Sequence, residues 1–351
     1  MSKFSGQILD MCNNEKKCNL LQAELSLANA NEQAIQSYEA EIDGENVLEV
    51  INKTKYGRFV ISKLFFKASN QYRHGFIHLL FGSKVDEWKD SMCYFLQEVV
   101  EMVNHEEAQL FTRRLIQDAE RIACGKCSRF IIIKSMEKLA FPHLQKDLAR
   151  SILSIGLKLS GNEYGNKVLL DAIDLCIKFP DLMEGLSFIH GHLFEISFDK
   201  YGNFVVQKWI ARTGAINDEN LNYNILHNEF QGKLQEMSHH KYASKVVEIL
   251  MKESMKKNPM LMDAFFSEIF DIDNFAGFMA FFTNKTCMFV VANKMANLKK
   301  DKKETFSDHL GFATTRIDQA CDLLSKEDQE WFSKKLEERE KWLEDECEKN
   351  E

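Results

Sequence analysis

Proline is nearly absent from this sequence, and glycine is sparse. Only Pro142, Pro180 and Pro259, together with 16 glycines, interrupt the 351 residues. Because proline and glycine supply most tight turns and interrupt helices, their scarcity argues against a fold of many short strands joined by β-turns. Leucine, lysine and glutamate abound, and these residues are good helix formers. We therefore expect an all-α fold.

Long apolar runs and a disulfide framework are also missing. No run approaches the roughly 20 apolar residues that a membrane-spanning helix needs, and the N-terminal residues lack the apolar core of a secretory signal. The nine cysteines are an odd number scattered from Cys12 to Cys347, which favours reduced thiols over disulfides. We expect a cytoplasmic protein, with the nucleus or nucleolus as the alternative, and no membrane partner.

Overall positive charge and the motifs of catalysis are lacking as well. The formal net charge of −8 argues against a protein held on nucleic acid by its overall charge, so any such contact must be local. No phosphate-binding glycine loop or hydrolase elbow occurs in the sequence. Cys124 and Cys127 have the spacing of a zinc or redox motif, but no second ligand pair accompanies them. We expect structural thiols there, and no catalytic residue, metal or cofactor.

What the sequence does contain is an internal repeat. The stretch EYGNKVLL at 163–170 aligns without gaps with KYGNFVVQ at 200–207, and KYGRFVIS at 55–62 is a third copy. Weaker copies follow at a similar spacing, which is the signature of a repeat protein. We call the residue after the glycine position the anchor of each copy. The anchors are Cys18, Arg58, Cys93, Arg129, Asn166, Asn203, Ser244 and Met288.

Each clear copy has a short apolar helix before the Tyr-Gly pair and a longer one after it, and the glycine is expected to let the chain turn. Paired helices of this size cannot bury their apolar faces alone, so neighbouring units must stack into a curved superhelix with a concave surface. We expect eight repeats over residues 1–300. Residues 301–351, with an apolar stripe from Trp331 to Leu343, are expected to form a helical cap and acidic tail, or alternatively to dock a protein partner.

Two copies resemble a known family closely. FDKYGNFVVQ at 198–207 and MSHHKYASKVVE at 237–248 resemble the sixth and seventh repeats of Pumilio (PUF) proteins, and the likeness spans roughly residues 5–300. The resemblance implies a right-handed α-solenoid crescent that binds single-stranded RNA on its concave face. In that family the second helix of each repeat presents three side chains to one base, of which two grip the base edge and one stacks on its plane.

The spacing suits that task. The anchor is the first edge position, and the second edge position, four residues later, lies directly above it on the same helical face. The residue just after the anchor is the stacking position, where an aromatic, Arg or Lys side chain can lie against a base.

Edge pairs in four repeats resemble the family's base code. The matches are Ser244 with Glu248 for guanine, Asn203 with Gln207 for uracil, and Cys93 with Gln97 and Cys18 with Gln22 for adenine. The stacking residues beside them are Lys245, Phe204, Tyr94 and Asn19, of which Asn19 is a poor platform. For these polar pairs the alternative is a solvated helix face, and for Cys93 it is a small buried apolar residue.

The other four repeats depart from the code. Their edge pairs are Arg58 with Ser62, Arg129 with Ile133, Asn166 with Leu170, and Met288 with Ala292, and their stacking residues are Phe59, Phe130, Lys167 and Phe289. The two arginines could instead stack on bases or pair with phosphates without reading sequence. The three phenylalanines could equally be core residues. Because the family binds RNA antiparallel, the expected register is 5′-N-G-U-N-N-A-N-A-3′.

The resemblance implies a monomeric binder of messenger RNA, at 3′ untranslated regions, that acts in post-transcriptional and translational regulation together with protein co-regulators. Because four repeats depart from the base code and the chain is acidic overall, a first alternative stays open: a degenerate solenoid that serves as a protein-interaction scaffold. A second alternative is a nuclear factor of ribosomal RNA processing, although such relatives usually have more repeats and strong basic charge.

Overall fold

In the computed structural model, helices are the only regular secondary structure in the described residues. The structure describes residues 7–27, 32–42, 44–213, 227–257, 267–269, 275–285, 287–288, 290–292, 295–296 and 307–348. No β-strand occurs within these ranges, and the prediction of an all-α repeat fold is confirmed.

The helices fall into successive groups along the chain. Those up to residue 154 are α1 (Ile8–Cys12), α2 (Glu15–Leu27), α3 (Glu32–Glu41), α4 (Gly44–Lys53), α5 (Gly57–Lys67), α6 (Asn70–Gly82), α7 (Asp90–Val99), α8 (His105–Gln117), α9 (Ala119–Ala123), α10 (Arg129–Lys138) and α11 (Pro142–Ser154). Those that follow are α12 (Gly156–Ser160), α13 (Gly165–Lys178), α14 (Leu193–Phe198), α15 (Gly202–Thr213), α16 (Leu234–His239), α17 (Ala243–Lys257), α18 (Phe275–Phe282), α19 (Ser307–Cys321) and α20 (Lys326–Glu348). Short 3-10 segments lie at Val85–Glu87 and Pro180–Ile189.

The early repeats contain three helices, whereas the sequence pattern predicted two. Repeat 2 consists of α4, α5 and α6, and its third helix begins at a cap in which the Ser69 hydroxyl accepts a hydrogen bond from the N–H of Tyr72 at 3.2 Å. The third helix of repeat 3, α8, begins instead at a capping box formed by Asn104 and Glu107. Because the start signals of the third helices differ from repeat to repeat, no fixed phrase marks them in the sequence.

The chain divides into two compact units, residues 1–186 and 187–351. In the first unit the second helices of consecutive repeats pack side by side, in the order α2, α5, α7, α10 and α13. The third helices α6, α8 and α11 form a neighbouring layer in the same order. In the second unit α15 packs against α17, and α18 packs against α19. Each repeat of the first unit is therefore stabilised by its sequence neighbours, as expected for a repeat protein.

Aromatic side chains join the layers of the first unit. The rings of Phe65, Phe76 and Phe95, from α5, α6 and α7, meet edge to face, with centroids 5.3 to 6.0 Å apart. Beside them the guanidinium of Arg73 lies 4.9 Å from the Phe65 centroid and forms an ion pair of 2.6 Å with the buried carboxylate of Glu107. Edge-to-face rings pack favourably beyond their burial alone, so this cluster ties repeat 2 to repeat 3.

The glycine of the Tyr-Gly pairs has a different role from the one expected. Among the described glycines only Gly191 and Gly232 have a positive φ, so the Tyr-Gly glycines do not make left-handed turns. A Cβ atom on Gly202 would lie 2.8 Å from the carbonyl oxygen of Ile196, at the end of the preceding helix. Glycine is therefore needed because the short first helix and the second helix approach each other closely.

The C-terminal helices pack against the eighth repeat. Phe332 of α20 is buried, and its ring lies edge to face against Phe282 of α18 with centroids 5.0 Å apart. Nζ of Lys285 lies 3.8 Å from a carboxylate oxygen of Asp328. The side chains of Trp342 and Leu343, at the end of the predicted stripe, fall outside the described part of the structure.

Candidate nucleic-acid interface

Four of the second helices, α5, α13, α15 and α17, are positioned by a polar side chain three residues before their first residue. The Asp199 carboxylate accepts hydrogen bonds from the N–H groups of Tyr201 at 2.8 Å and Gly202 at 2.7 Å. Thr54, Asn162 and His240 accept from the first N–H of α5, α13 and α17 in the same way. These contacts satisfy backbone donors that a helix start leaves unpaired, so they hold the anchors in a common orientation.

The stacking positions are exposed in every repeat in which they are described. The aromatic side chains there are Phe59, Tyr94, Phe130 and Phe204, with relative exposures of 37%, 47%, 41% and 53%. The other described side chains there, Asn19, Lys167 and Lys245, are also exposed. Exposed large apolar residues are common singly, but recurrence at one register on the packed helices α5, α7 and α10 is not expected by chance. The alternative that Phe59 and Phe130 are core residues is wrong, whereas Phe289 lies outside the described residues.

The anchors, in contrast, are mostly buried, and the second edge positions are mostly half-buried. Anchors classed as buried are Cys18, Cys93, Arg129, Asn166, Asn203, Ser244 and Met288. Second edge positions classed as half-buried are Gln22, Gln97, Ile133, Leu170, Gln207 and Glu248. The polar atoms near the surface are therefore offered mainly by the second edge position.

In repeat 6 the predicted edge residues are bonded to each other. The side-chain amide of Asn203 donates to the carbonyl oxygens of Asp199 at 3.0 Å and Lys200 at 2.9 Å, and its oxygen accepts from the amide of Gln207 at 2.9 Å. Asn203 thereby fixes the orientation of the Gln207 amide. The second N–H and the carbonyl oxygen of Gln207 are the groups that this pair can present as one donor and one acceptor.

In repeat 7 a carboxylate takes the second edge position. Glu248 is half-buried, and its Oε1 lies 2.9 Å from Nζ of Lys245, the stacking residue of the same repeat. The hydroxyl of Ser244 donates to the carbonyl oxygen of Lys241 at 3.4 Å. A carboxylate is an acceptor with several lone pairs, so this site can bind adjacent donors while it remains partly neutralised by Lys245.

Repeats 1 and 3 pair a buried thiol with a glutamine. The amide of Gln22 donates to Sγ of Cys18 at 3.3 Å, and the amide of Gln97 donates to the carbonyl oxygen of Cys93 at 3.1 Å. Burial raises the pKa of the Cys93 thiol to about 12, and it also raises the pKa of Cys18. Both thiols therefore stay protonated at neutral pH, so a thiolate plays no part in either site.

Repeats 2 and 4 carry arginines that lie on aromatic rings. Cζ of Arg58 lies 4.1 Å from the ring centroid of Phe59 and 5.1 Å from that of Tyr94. In repeat 4, Cζ of Arg129 lies 4.1 Å from the Phe130 centroid and 4.8 Å from that of Tyr164. Both pairs of distances are within the range of cation–π attraction.

Glu98 is a residue that the sequence reasoning missed. It binds both edge residues of repeat 2, because its Oε1 lies 3.4 Å from Nη1 of Arg58 and its Oε2 accepts from the hydroxyl of Ser62. Glu98 directly follows the second edge position of repeat 3, outside the three positions that the family pattern uses. Only the contact between neighbouring helices brings it to repeat 2, so the spacing within one repeat gave no signal for it.

Repeats 5 and 8 offer little to a base edge. Asn166 is buried beside the half-buried, apolar Leu170, whereas Lys167 is exposed. Met288 and Ala292 are both buried. These repeats therefore lack one or both of the polar groups that would bind a base edge.

The remaining candidate groups do not form a metal-binding cluster in the described ranges. Cys124 and Cys127 are free and half-buried, and a hydrogen bond with Asp90 together with burial raises the pKa of Cys127. Within the described residues no group of three or more His, Cys, Asp or Glu side chains could hold a metal ion. No described helix combines the length and apolarity that a bilayer crossing demands.

Comparison with solved structures identifies the fold. The Puf4 RNA-binding domain bound to an HO endonuclease 3′ UTR RNA matches with a TM-score of 0.78 at 17% identity, covering 96% of this chain and 100% of that one. The RNA-binding domain of yeast Puf5p bound to AAT2 RNA matches with 0.72 at 15% identity, covering 94% and 95%. PUF-8 in complex with PBE-RNA matches with 0.69 at 17% identity, covering 95% and 93%. No family model and no curated protein matches the sequence.

The fold is therefore that of an all-α repeat solenoid with a regular series of exposed side chains on its second helices. More particularly, it is the fold of Puf RNA-binding domains over nearly the whole chain. The likeness predicted from the stretches around Asn203 and Ser244 is thus confirmed at the level of the fold.

Proposed function

We propose that this protein binds single-stranded RNA along its stacking positions, one base per repeat, and catalyses no reaction. The observation that carries the proposal is the recurrence of exposed Phe59, Tyr94, Phe130 and Phe204 at one position of repeats 2, 3, 4 and 6. A flat ring exposed to water has a hydration cost that a stacked base removes, and such stacking contributes about 1–3 kcal/mol per base. Because every base has a π-face, the aromatic positions supply affinity without requiring a particular sequence.

Sequence preference comes from the edge pairs of repeats 7 and 6. The carboxylate of Glu248 accepts from the N1 and N2 donors of guanine, with Lys245 stacking, and the Gln207 amide offers one donor and one acceptor to uracil. With the antiparallel orientation that the resemblance implies, the register is 5′-N-G-U-N-N-A-N-A-3′. Gln97 and Gln22 supply the amides for the two adenines.

The biological role that fits this chemistry is post-transcriptional regulation of messenger RNA. Several of the similar structures hold 3′ UTR sequences, and a monomeric cytoplasmic binder that recruits or blocks protein co-regulators follows from the same resemblance. With a net charge of −8, the affinity must depend on stacking and local cations more than on overall attraction to phosphates.

Selection of bound sequences from randomised RNA tests the proposal. The wild type should enrich motifs containing G-U, and the double variant Ser244→Asn with Glu248→Gln should enrich U-U instead, because it installs the edge residues of repeat 6 in repeat 7. An unchanged preference in the variant would reject the register. No enriched motif at all would reject sequence-selective binding and favour a protein-interaction scaffold.

A further inference from the structure

The surface of repeat 2 is arranged differently from those of repeats 6 and 7. Its two edge residues, Arg58 and Ser62, are both bonded to Glu98 of the neighbouring helix α7. In repeat 6 the edge residues are instead bonded within their own repeat. The polar groups that would meet a base at repeat 2 are therefore engaged by another side chain of the protein.

The guanidinium of Arg58 also lies where a base would stack. It contacts Phe59 and Tyr94, the stacking residues of two consecutive repeats, with Cζ 4.1 and 5.1 Å from the ring centroids. A guanidinium is flat and stacks on aromatic faces, so it fills the same kind of space as a base. Arg58 is partly shielded, with 25% of its side chain exposed, and Glu98 neutralises it from the side.

We propose that repeat 2 is an exception to the pattern of one base per repeat: the side chain of Arg58 fills its base site, so that RNA crosses this repeat without inserting a base. Glu98 is then the specificity-determining residue, because it holds Arg58 in that site. The proposal rests on the RNA binding proposed above. An entering base would have to displace the guanidinium from two rings and from the carboxylate, which exchanges one set of stacking contacts for another with little net gain. The carboxylate also offsets the attraction of Arg58 for phosphate.

Fluorescence anisotropy with a matched set of octamers tests this inference. The RNAs are 5′-AGUAAAXA-3′, in which X faces repeat 2 and is U, A, G, C or an abasic site. For the wild type the five dissociation constants should agree within about twofold, because no base is bound at X. The triple variant Arg58→Asn, Ser62→Gln and Glu98→Gln empties the space and installs the edge residues of repeat 6. That variant should prefer U at X by about tenfold, and the abasic site should weaken its binding by about tenfold as well.

Glu101→Gln is the control for the loss of negative charge. Glu101 forms a similar cation pair between neighbouring repeats, 2.9 Å from Nζ of Lys134, but Lys134 is neither an edge residue nor a stacking residue. This variant should bind all five octamers slightly more tightly than the wild type and should acquire no preference at X.

NMR of the free and RNA-bound protein shows directly whether the Arg58 side chain stays on the rings of Phe59 and Tyr94. The side-chain protons of Arg58 should show ring-current shifts from Phe59 and Tyr94, and these shifts should persist when RNA is added. Loss of the shifts on binding, a wild-type preference of more than about fivefold at X, or a triple variant without preference would each overturn the inference.

The octamers also distinguish rejection of the inference on repeat 2 from rejection of RNA binding as a whole. If replacing the second nucleotide G by A weakens binding while X still matters in the wild type, only the occupancy of repeat 2 is rejected. If no octamer binds measurably, the proposed function is rejected and the inference falls with it.

Discussion

At the scale of single residues, burial separates the three positions of most repeats more clearly than residue type does. Phe204 is the most exposed of the four stacking aromatics, whereas its neighbours Asn203 and Val205 are buried. The side chain of Asn203 is held by two backbone carbonyl groups and by Gln207. The ring of Phe204 can therefore be removed without disturbing the core, which makes it a clean site for mutation.

The variant Phe204→Ala should weaken binding of a G-U-containing RNA by about 1–3 kcal/mol, which is roughly 5- to 150-fold, because one stacking surface is lost. Anisotropy titration measures the loss, and Phe204→Tyr, which keeps the ring, should retain nearly full affinity. The melting temperature of the alanine variant should stay close to that of the wild type, because Phe204 has a relative exposure of 53% and exposed positions contribute little to stability. Equal binding by the two variants would contradict a stacking role.

Sequence reasoning reached the stacking positions but not the contacts between repeats. The period placed Phe59, Tyr94 and Phe130 at equivalent positions, and their exposure follows from it. Glu98 could not be found in this way, because its partners Arg58 and Ser62 lie more than 35 residues earlier and only the packing of α7 on α5 brings them together. The roles of these residues toward RNA stay predictions.

At the scale of elements, the short first helix and the long second helix are joined by a turn in which the two helices pack closely. Gly202 begins α15 next to the last turn of α14, and the Asp199 carboxylate caps the same helix. The Tyr-Gly phrase was visible in the sequence, but the reason for the glycine was not, because close approach to the Ile196 carbonyl depends on how the two helices pack. The third helices were missed for a related reason, since their caps at Ser69 and Asn104 are of different kinds.

Gly202→Ala should destabilise the protein by about 1–3 kcal/mol, because the added methyl group would lie 2.7 Å from a side-chain carbon and 2.8 Å from the carbonyl oxygen of Ile196. Gly311→Ala in α19 is the matched control, because its added Cβ would have no atom within 4 Å beyond its chain neighbours and the backbone of its own helix. The control should be neutral or should stabilise the helix by up to about 1 kcal/mol. Urea denaturation of both variants measures the difference, and similar midpoints would contradict the requirement for glycine where α14 and α15 pack closely at residue 202.

At the scale of the whole molecule, buried thiols are spread over both units. Burial raises the pKa values of Cys12, Cys93 and Cys287 to about 12, from an ordinary value of 9.0. A thiol whose pKa is higher in the folded than in the unfolded state contributes its full stability below pH 9 and loses it as the pH rises through about 12. These groups therefore make the fold sensitive to alkali.

Each of these thiols should lower the free energy of unfolding by about 1.4 kcal/mol per pH unit between pH 9 and the folded pKa. Urea denaturation at pH 8, 9.5 and 10.5 measures how steeply the free energy of unfolding of the wild type falls with pH. Cys93→Ala should make this slope smaller by the contribution of one thiol. The exposed Lys341 serves as a control position, because Lys341→Ala should leave the contribution of the buried thiols unchanged. A slope unaffected by Cys93→Ala would show that this thiol ionises as readily when folded.

The side-by-side packing of the second helices in sequence order has a consequence for how the first unit unfolds. The helices α7 and α10 are held from both sides, whereas α2 is the first of its row. Local unfolding can therefore begin at α2 and advance along the row by one repeat at a time. Backbone amides in α7 and α10 will exchange with deuterium last, and a protease will shorten the protein from α2 inward before it cuts the middle.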